Sequence, residues 1–148
     1  MEAEYLNLIR LLNEENVEYV ILGGHAVIAH GYLRTTGDID IFVNPSEENA
    51  ERLLKAMYRY GYTNNEFEKE DFTKIPSYLS FGRYDGWIDI MTFTLGVSFQ
   101  ECYENRYILN LQDVAVNIIG LKQLLENKRA TGRPQDLLDL ENLTNEDQ

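Results

Sequence analysis

A single cysteine, Cys102, stands in 148 residues, so no disulfide can form within the chain. No apolar run approaches the ~20 residues that a membrane-spanning helix needs. The start, Met1-Glu2-Ala3-Glu4, is acidic and opens no apolar signal region. These absences imply a soluble, cytoplasmic protein with no membrane partner. Positive charge is scarce too: 13 Lys and Arg face 25 Asp and Glu, a formal net charge of −12. A broad nucleic-acid footprint needs a basic face, so that class is disfavoured. A nucleotide is not excluded, because its phosphates can be met locally by metal and a few basic side chains. There is no internal repeat, low-complexity segment or linker, and the length suits one domain over residues 1–148. A domain of this size buries about 68–70% of its unfolded surface, enough for a core without staples. Much of the acidity reads as solvated surface: Glu47, Glu48 and Glu51 on one predicted helix, and Glu66, Glu68, Glu70 and Asp71 in one loop.

What the chain does have is concentrated between Tyr19 and Val43. The apolar run Tyr19-Val20-Ile21-Leu22 stops at Gly23-Gly24, and a short helical segment over 25–30 follows, ending at Gly31. Asp38 and Asp40 then alternate with Ile39, Ile41 and Val43. Residues two apart on a strand point the same way. The two carboxylates therefore share one face, their Cα atoms roughly 6–7 Å apart at a rise of roughly 3.3 Å per residue. The isoleucines take the opposite, core face. Asp is depleted in strands, and two facing together repel unless a cation lies between them. Mg²⁺ suits such a place, because it binds one or two carboxylates plus substrate phosphates.

The remaining pattern alternates helices and strands. Leu6, Ile9 and Leu12 predict a first helix over 3–13. Ser46 is a good N-cap for a helix that carries Ala50, Leu53, Leu54, Met57 and Tyr58 on one side and ends before Gly61. Residues 62–77 are expected to be loop with a short strand. A hairpin is expected from 77–81 and 87–94 around Tyr84-Asp85-Gly86, with Asp89 as one acid between Ile88 and Ile90. Further expectations are a short helix within 96–104, a strand pair at 107–111 and 114–118, and a helix over 120–128 with Leu121, Leu124 and Leu125 inward. Gly132 breaks that helix, and Pro134 opens a last one with Leu137, Leu138 and Leu140 as its apolar side. Asp136 and Asp139 are accounted for by the dipole of that helix start. The tail after Leu143 is polar and expected to fray.

Taken singly, each candidate feature is ordinary: Gly-Gly as a turn, Asp38-x-Asp40 as a solvated strand face, Asp89 as a solvated position. Together they resemble the signature of the nucleotidyltransferase superfamily of DNA polymerase beta: a Gly-Gly or Gly-Ser turn, an Asp-x-Asp strand, and a third acid on a later strand. The resemblance is closest to a small bacterial and archaeal branch related to the abortive-infection nucleotidyltransferase toxins. It runs through Gly23-Gly24-His25-Ala26, Arg34-Thr35-Thr36-Gly37-Asp38-Ile39-Asp40, Trp87-Ile88-Asp89-Ile90-Met91 and Gly96-Val97-Ser98-Phe99. It ends in Lys128-Arg129-Ala130-Thr131-Gly132-Arg133-Pro134-Gln135-Asp136-Leu137-Leu138-Asp139. About residues 17–143 are covered.

The resemblance implies an α/β (α+β) nucleotidyltransferase fold, a mixed twisted sheet flanked by helices, with the last helices at about 120–143. It implies catalytic and metal-binding roles for Asp38, Asp40 and Asp89, which would hold two Mg²⁺ (or Mn²⁺) ions ~3.5–4 Å apart on an NTP triphosphate. Gly23 and Gly24 would seat phosphate on free backbone N–H groups. His25 stands where the superfamily often has a serine, and can serve phosphate or the core. Arg34 can contact phosphate or anchor a site carboxylate. Lys128 and Arg133 are candidate phosphate contacts, whereas His30 reads as a helix-end residue and Lys122 and Arg129 as solvated. The expected activity is transfer of a nucleoside monophosphate from NTP to a hydroxyl of an acceptor: a small molecule, a protein or a tRNA end. Two other readings are open: a partner in a toxin–antitoxin pair, facing a helical toxin or antitoxin, and a nucleotide-binding protein without turnover.

Overall fold

The computed structural model describes residues 1–63, 65–83 and 86–144. Among them, six strands form one mixed sheet: β1 (Tyr19–Leu22), β2 (Asp38–Val43), β3 (Tyr78–Arg83), β4 (Gly86–Met91), β5 (Tyr107–Leu111) and β6 (Val114–Ile118). Their order is β3-β4-β2-β1-β6-β5. The inner pairs alternate in sense. β2 runs antiparallel to β1 and parallel to β4, while β1 runs parallel to β6. The outer strands β3 and β5 close as antiparallel partners of β4 and β6. This is the expected α/β (α+β) architecture.

Among the described residues, six helices flank the sheet: α1 (Ala3–Glu14), α2 (Gly23–Ala29), α3 (Glu47–Tyr60), α4 (Phe99–Glu104), α5 (Leu121–Thr131) and α6 (Pro134–Thr144). All four residues of β1 are buried. A strand reads as continuously apolar when both faces of its sheet are covered, and Tyr19-Val20-Ile21-Leu22 does so. α1 supplies Leu8, Ile9 and Leu12 to the core, and α3 supplies Ala50, Leu53, Ala56 and Met57. Ser46 caps α3 by accepting from the Asn49 amide at 3.1 Å.

Several local expectations are corrected. Gly23 and Gly24 are the first two residues of α2 rather than a separate turn before it. In residues 62–77 the described segment holds a 3₁₀ turn, Lys69–Phe72, and no strand. That turn forms because Glu68 and Asp71 cap each other's backbone, a local device without hydrophobic periodicity. The hairpin is present as β3 and β4, and its expected turn residues Tyr84 and Asp85 lie outside the described residues. Of the tail expected to fray after Leu143, Thr144 closes α6 and residues 145–148 lie outside the described residues. On α5, Leu124 is fully buried and Leu121 is exposed. α6 departs most: Leu137 and Leu138 are 56% and 47% exposed, whereas Asp136 and Asp139 are 1% and 0% exposed.

Candidate active site

The site lies where β1, β2 and β4 meet the start of α2. In the parallel β2–β4 pair, Asp40 stands in register with Asp89 and Asp38 with Trp87. On the other side Asp40 faces Leu22, the residue before Gly23. The two acids that sequence spacing could not bring together, forty-nine positions apart, thus occupy one rung of the β2–β4 ladder. Tyr5 of α1 fixes the ends of both strands: its hydroxyl contacts the Trp87 carbonyl at 2.9 Å and the Gly37 carbonyl at 3.2 Å.

Gly23 has φ +65°, and a Cβ placed there would fall inside the Asp40 carboxylate. A Cβ on Gly24 would lie 2.6 Å from Thr36. Both glycines are therefore required by close approach: Asp40 and the 34–37 loop occupy the space where side chains would be. The electrostatics match this crowding. Asp40 is pushed up to about 7, first by burial, then by its hydrogen bond to Asp89 and by the charges of Asp89 and Asp38. Asp38 is raised by burial and by Asp89. Asp89 is buried, and its Oδ1 has no hydrogen-bond partner among the described residues. The Tyr78 phenol is raised by burial and by its hydrogen bond to Asp89.

Among the described residues, no group of three His, Cys, Asp or Glu side chains is already gathered to hold an ion. The structure brings Asp40 and Asp89 together, with Asp38 at the exposed start of β2. An unpartnered buried carboxylate oxygen beside a strongly raised neighbour is nonetheless what a divalent cation would satisfy: the donors are hard oxygens and the local charge is uncompensated. The residues fit such an ion.

Two cavities adjoin Asp40. One, about 680 Å³, is lined by Gly23, Gly24, Arg34, Asp38, Lys128 and Arg133, among others. The second, about 300 Å³, lies beside Leu22, Tyr78, Met91, Phe93, Leu95 and Asn127. Asn127 ties α5 to the segment after β4, donating to Thr94 Oγ1 at 2.9 Å and the Leu95 carbonyl at 2.8 Å.

The basic residues are held in an ion network. Lys128 is buried, its Nζ 3.0 Å from Asp136 and 2.9 Å from Asp139. Arg34 spans to Asp139 through Nε at 2.9 Å and Nη2 at 3.1 Å. Arg133 bonds Asp136 through Nε at 2.8 Å but remains largely exposed. Burial alone would raise both carboxyls; the donors around each outweigh it and hold both low. Asp139 is thereby explained by the cations of the cleft rather than by the helix dipole, whereas Asp136 pairs with those cations and also serves the start of α6, accepting from the Arg133 amide. Only the pairing of a lysine with two acids eight and eleven residues on hints at this in the sequence, and the Arg34 link leaves no local trace.

His25 is buried edge-on against Tyr5, its Nε2 3.9 Å from Glu2, and burial lowers its pKa. Its ring therefore serves the contact with α1. His30 caps α2, its Nε2 2.7 Å from the Ile119 carbonyl. Lys122 and Arg129 are exposed.

The mixed sheet with a glycine-started helix and two acids in register is the nucleotidyltransferase fold. Solved structures share it, among them these two. The lincosamide antibiotic adenylyltransferase LnuA, in its lincomycin-bound form, is 20% identical with a TM-score of 0.65, over 98% of this chain and 97% of LnuA. TM1012 of Thermotoga maritima, proposed to be a nucleotidyltransferase, is 16% identical with a TM-score of 0.67, over 99% and 96%. No curated protein sequence matches. Residues 3–146 match the family model described as "Nucleotidyltransferase of unknown function (DUF6036)", and the chain belongs to that family.

Proposed function

We propose that this nucleotidyltransferase moves a nucleoside monophosphate from an NTP to a hydroxyl of a small-molecule acceptor, with divalent ions held by Asp38, Asp40 and Asp89. One observation carries the reading: Asp40 and Asp89 stand in register across β2 and β4, against the missing Cβ of Gly23. Bound Mg²⁺ or Mn²⁺ would supply charge neutralisation on the phosphates and at the attacking and leaving oxygens.

The chain's own groups then divide the work. The wider cavity, with Gly23, Gly24 and Arg133, takes the triphosphate. Arg133, although paired with Asp136, is 74% exposed against 18% for Arg34 and 5% for Lys128, and is the cation most free to reach phosphate. Asp89, buried beside Asp40, whose carboxylate lines the smaller cavity, orients the acceptor hydroxyl and takes its proton as the oxygen attacks the α-phosphorus and pyrophosphate leaves. A small acceptor is favoured over a tRNA end by the net charge of −12 and by the size of the second cavity. LnuA, a lincosamide antibiotic adenylyltransferase, supports the same choice. The likeness of residues 34–40 and 128–139 to the abortive-infection branch is carried here as kinship in the site, not in partner.

The test is transfer of label from each α-labelled NTP with Mg²⁺ and a small-molecule fraction of cell extract. Labelled product formed by the native protein and lost in Asp38→Asn and Asp40→Asn is expected. Absence of any Asp38-dependent product overturns the reading.

A further inference from the structure

The ion network joins two segments that the sheet does not connect. Asp136 is used locally: it accepts from Thr131 Oγ1 at 2.7 Å, the Arg133 amide at 3.1 Å and Lys128 Nζ at 3.0 Å, building the α5–α6 turn. Asp139 is used at long range. It binds Lys128, accepts from Gln135 Nε2 at 2.9 Å, and grips Arg34, which lies 105 positions earlier. Arg34 in turn donates through Nη1 to the Thr35 carbonyl at 2.9 Å. The same Nη1 would stand 3.2 Å from a Cβ on Gly24. Asp139 therefore holds the 34–37 loop against the glycine start of α2 while steadying Lys128, which lines the same wider cavity.

We infer that Asp139 is a positioning residue for the nucleotide: it touches no ligand, being fully buried, and acts through Arg34 and Lys128. Three cations and two carboxylates make the network, so its removal would also leave buried charge unpaired, which is costly. The nucleotide arm of this inference rests on the reading proposed above; the loop-holding arm does not.

The experiment uses the full chain and Asp139→Asn, with hydrogen exchange followed at two amides that bracket the loop. Tyr32 donates to the Val27 carbonyl, and Trp87 donates to the Gly37 carbonyl. Both are expected to exchange about tenfold faster or more in the variant, while the Ile119 amide, bonded to the Ile21 carbonyl, is unchanged. MgATP is expected to bind about tenfold more weakly, as when an outer-shell partner of a ligand is lost. Arg34→Gln should give the same two changes, and the double variant should be no worse than either single one. Arg34→Gln also reports on the link if Asp139→Asn does not fold. Unchanged exchange at Tyr32 and Trp87, additive effects in the double variant, or a uniform rise at all three amides would overturn the inference. If the native protein binds no MgATP, the proposed function falls while the exchange results still decide this link.

Discussion

Asp40 shows how one side chain can trade stability for chemistry. Its ordinary pKa is 3.8, and in the fold it is pushed up to about 7. Between those values the unfolded chain has lost this proton and the folded protein keeps it. The folded state binds more protons, so stability falls as pH rises across the window. Asp40→Asn removes that slope, since an amide does not titrate. The metal-free variant is therefore expected to melt above the native protein once pH exceeds about 7, and to have no transfer activity. Thermal melts across the window check the first claim, and label transfer checks the second. Gly23 is the second residue whose identity is dictated by its neighbour. Gly23→Ala forces a side chain into the left-handed region at a cost of about 1–2 kcal/mol and drives Asp40 from its place. Misplacing a reacting group by about 1 Å can cost on the order of 100-fold in rate, and a drop of that order in kcat is expected beside a lowered Tm.

Helices and strands differ in how openly the sequence declares them. β2 is legible because alternation of period two, with aspartates on one face and isoleucines on the other, fits a strand and does not fit a helix. What it faces is hidden: the parallel partner β4 follows three intervening elements, α3, the 3₁₀ turn and β3, and nothing local says that Asp89 rather than another acid meets Asp40. α6 misleads for a related reason. Its leucines have helical spacing, so an apolar face is the natural expectation, yet the ion pairs to Arg34 and Lys128 turn the carboxylates inward and leave Leu137 and Leu138 exposed. Long-range electrostatics outweighs a short amphipathic pattern. α3, whose signals are local, starts and stops as its residues predict and buries Ala50, Leu53 and Met57, although Leu54 and Tyr58 are only half-buried and Ala56 and Tyr60 join the core instead. Its Ser46 cap lies beyond the end of β2 remote from Asp38, so Ser46→Ala should cost about 1 kcal/mol. A fall in Tm of roughly 2–4 °C is expected, with MgATP affinity unchanged by calorimetry.

For the whole molecule, the net charge of −12 sets a background against which the site must be read. Self-repulsion opposes the compact state, and it is screened as the Debye length shrinks from about 30 Å at 0.01 M to about 8 Å at 0.15 M salt. Any salt should therefore raise Tm, so a gain with MgCl₂ alone identifies nothing. The site contributes only the excess over NaCl at matched ionic strength. With MgATP at tenfold over its Kd, preferential binding to the folded state adds ~1.4 kcal/mol, or roughly 3–6 °C for a protein of this size. The native protein is expected to show that excess. Asp40→Asn should keep the screening gain and lose the excess, because it removes a carboxylate without changing the charge elsewhere. Parallel melts in the two salts, with and without ATP, separate the terms. An equal excess in both proteins would mean that the ion is held by the acidic surface rather than by the Asp40–Asp89 pair.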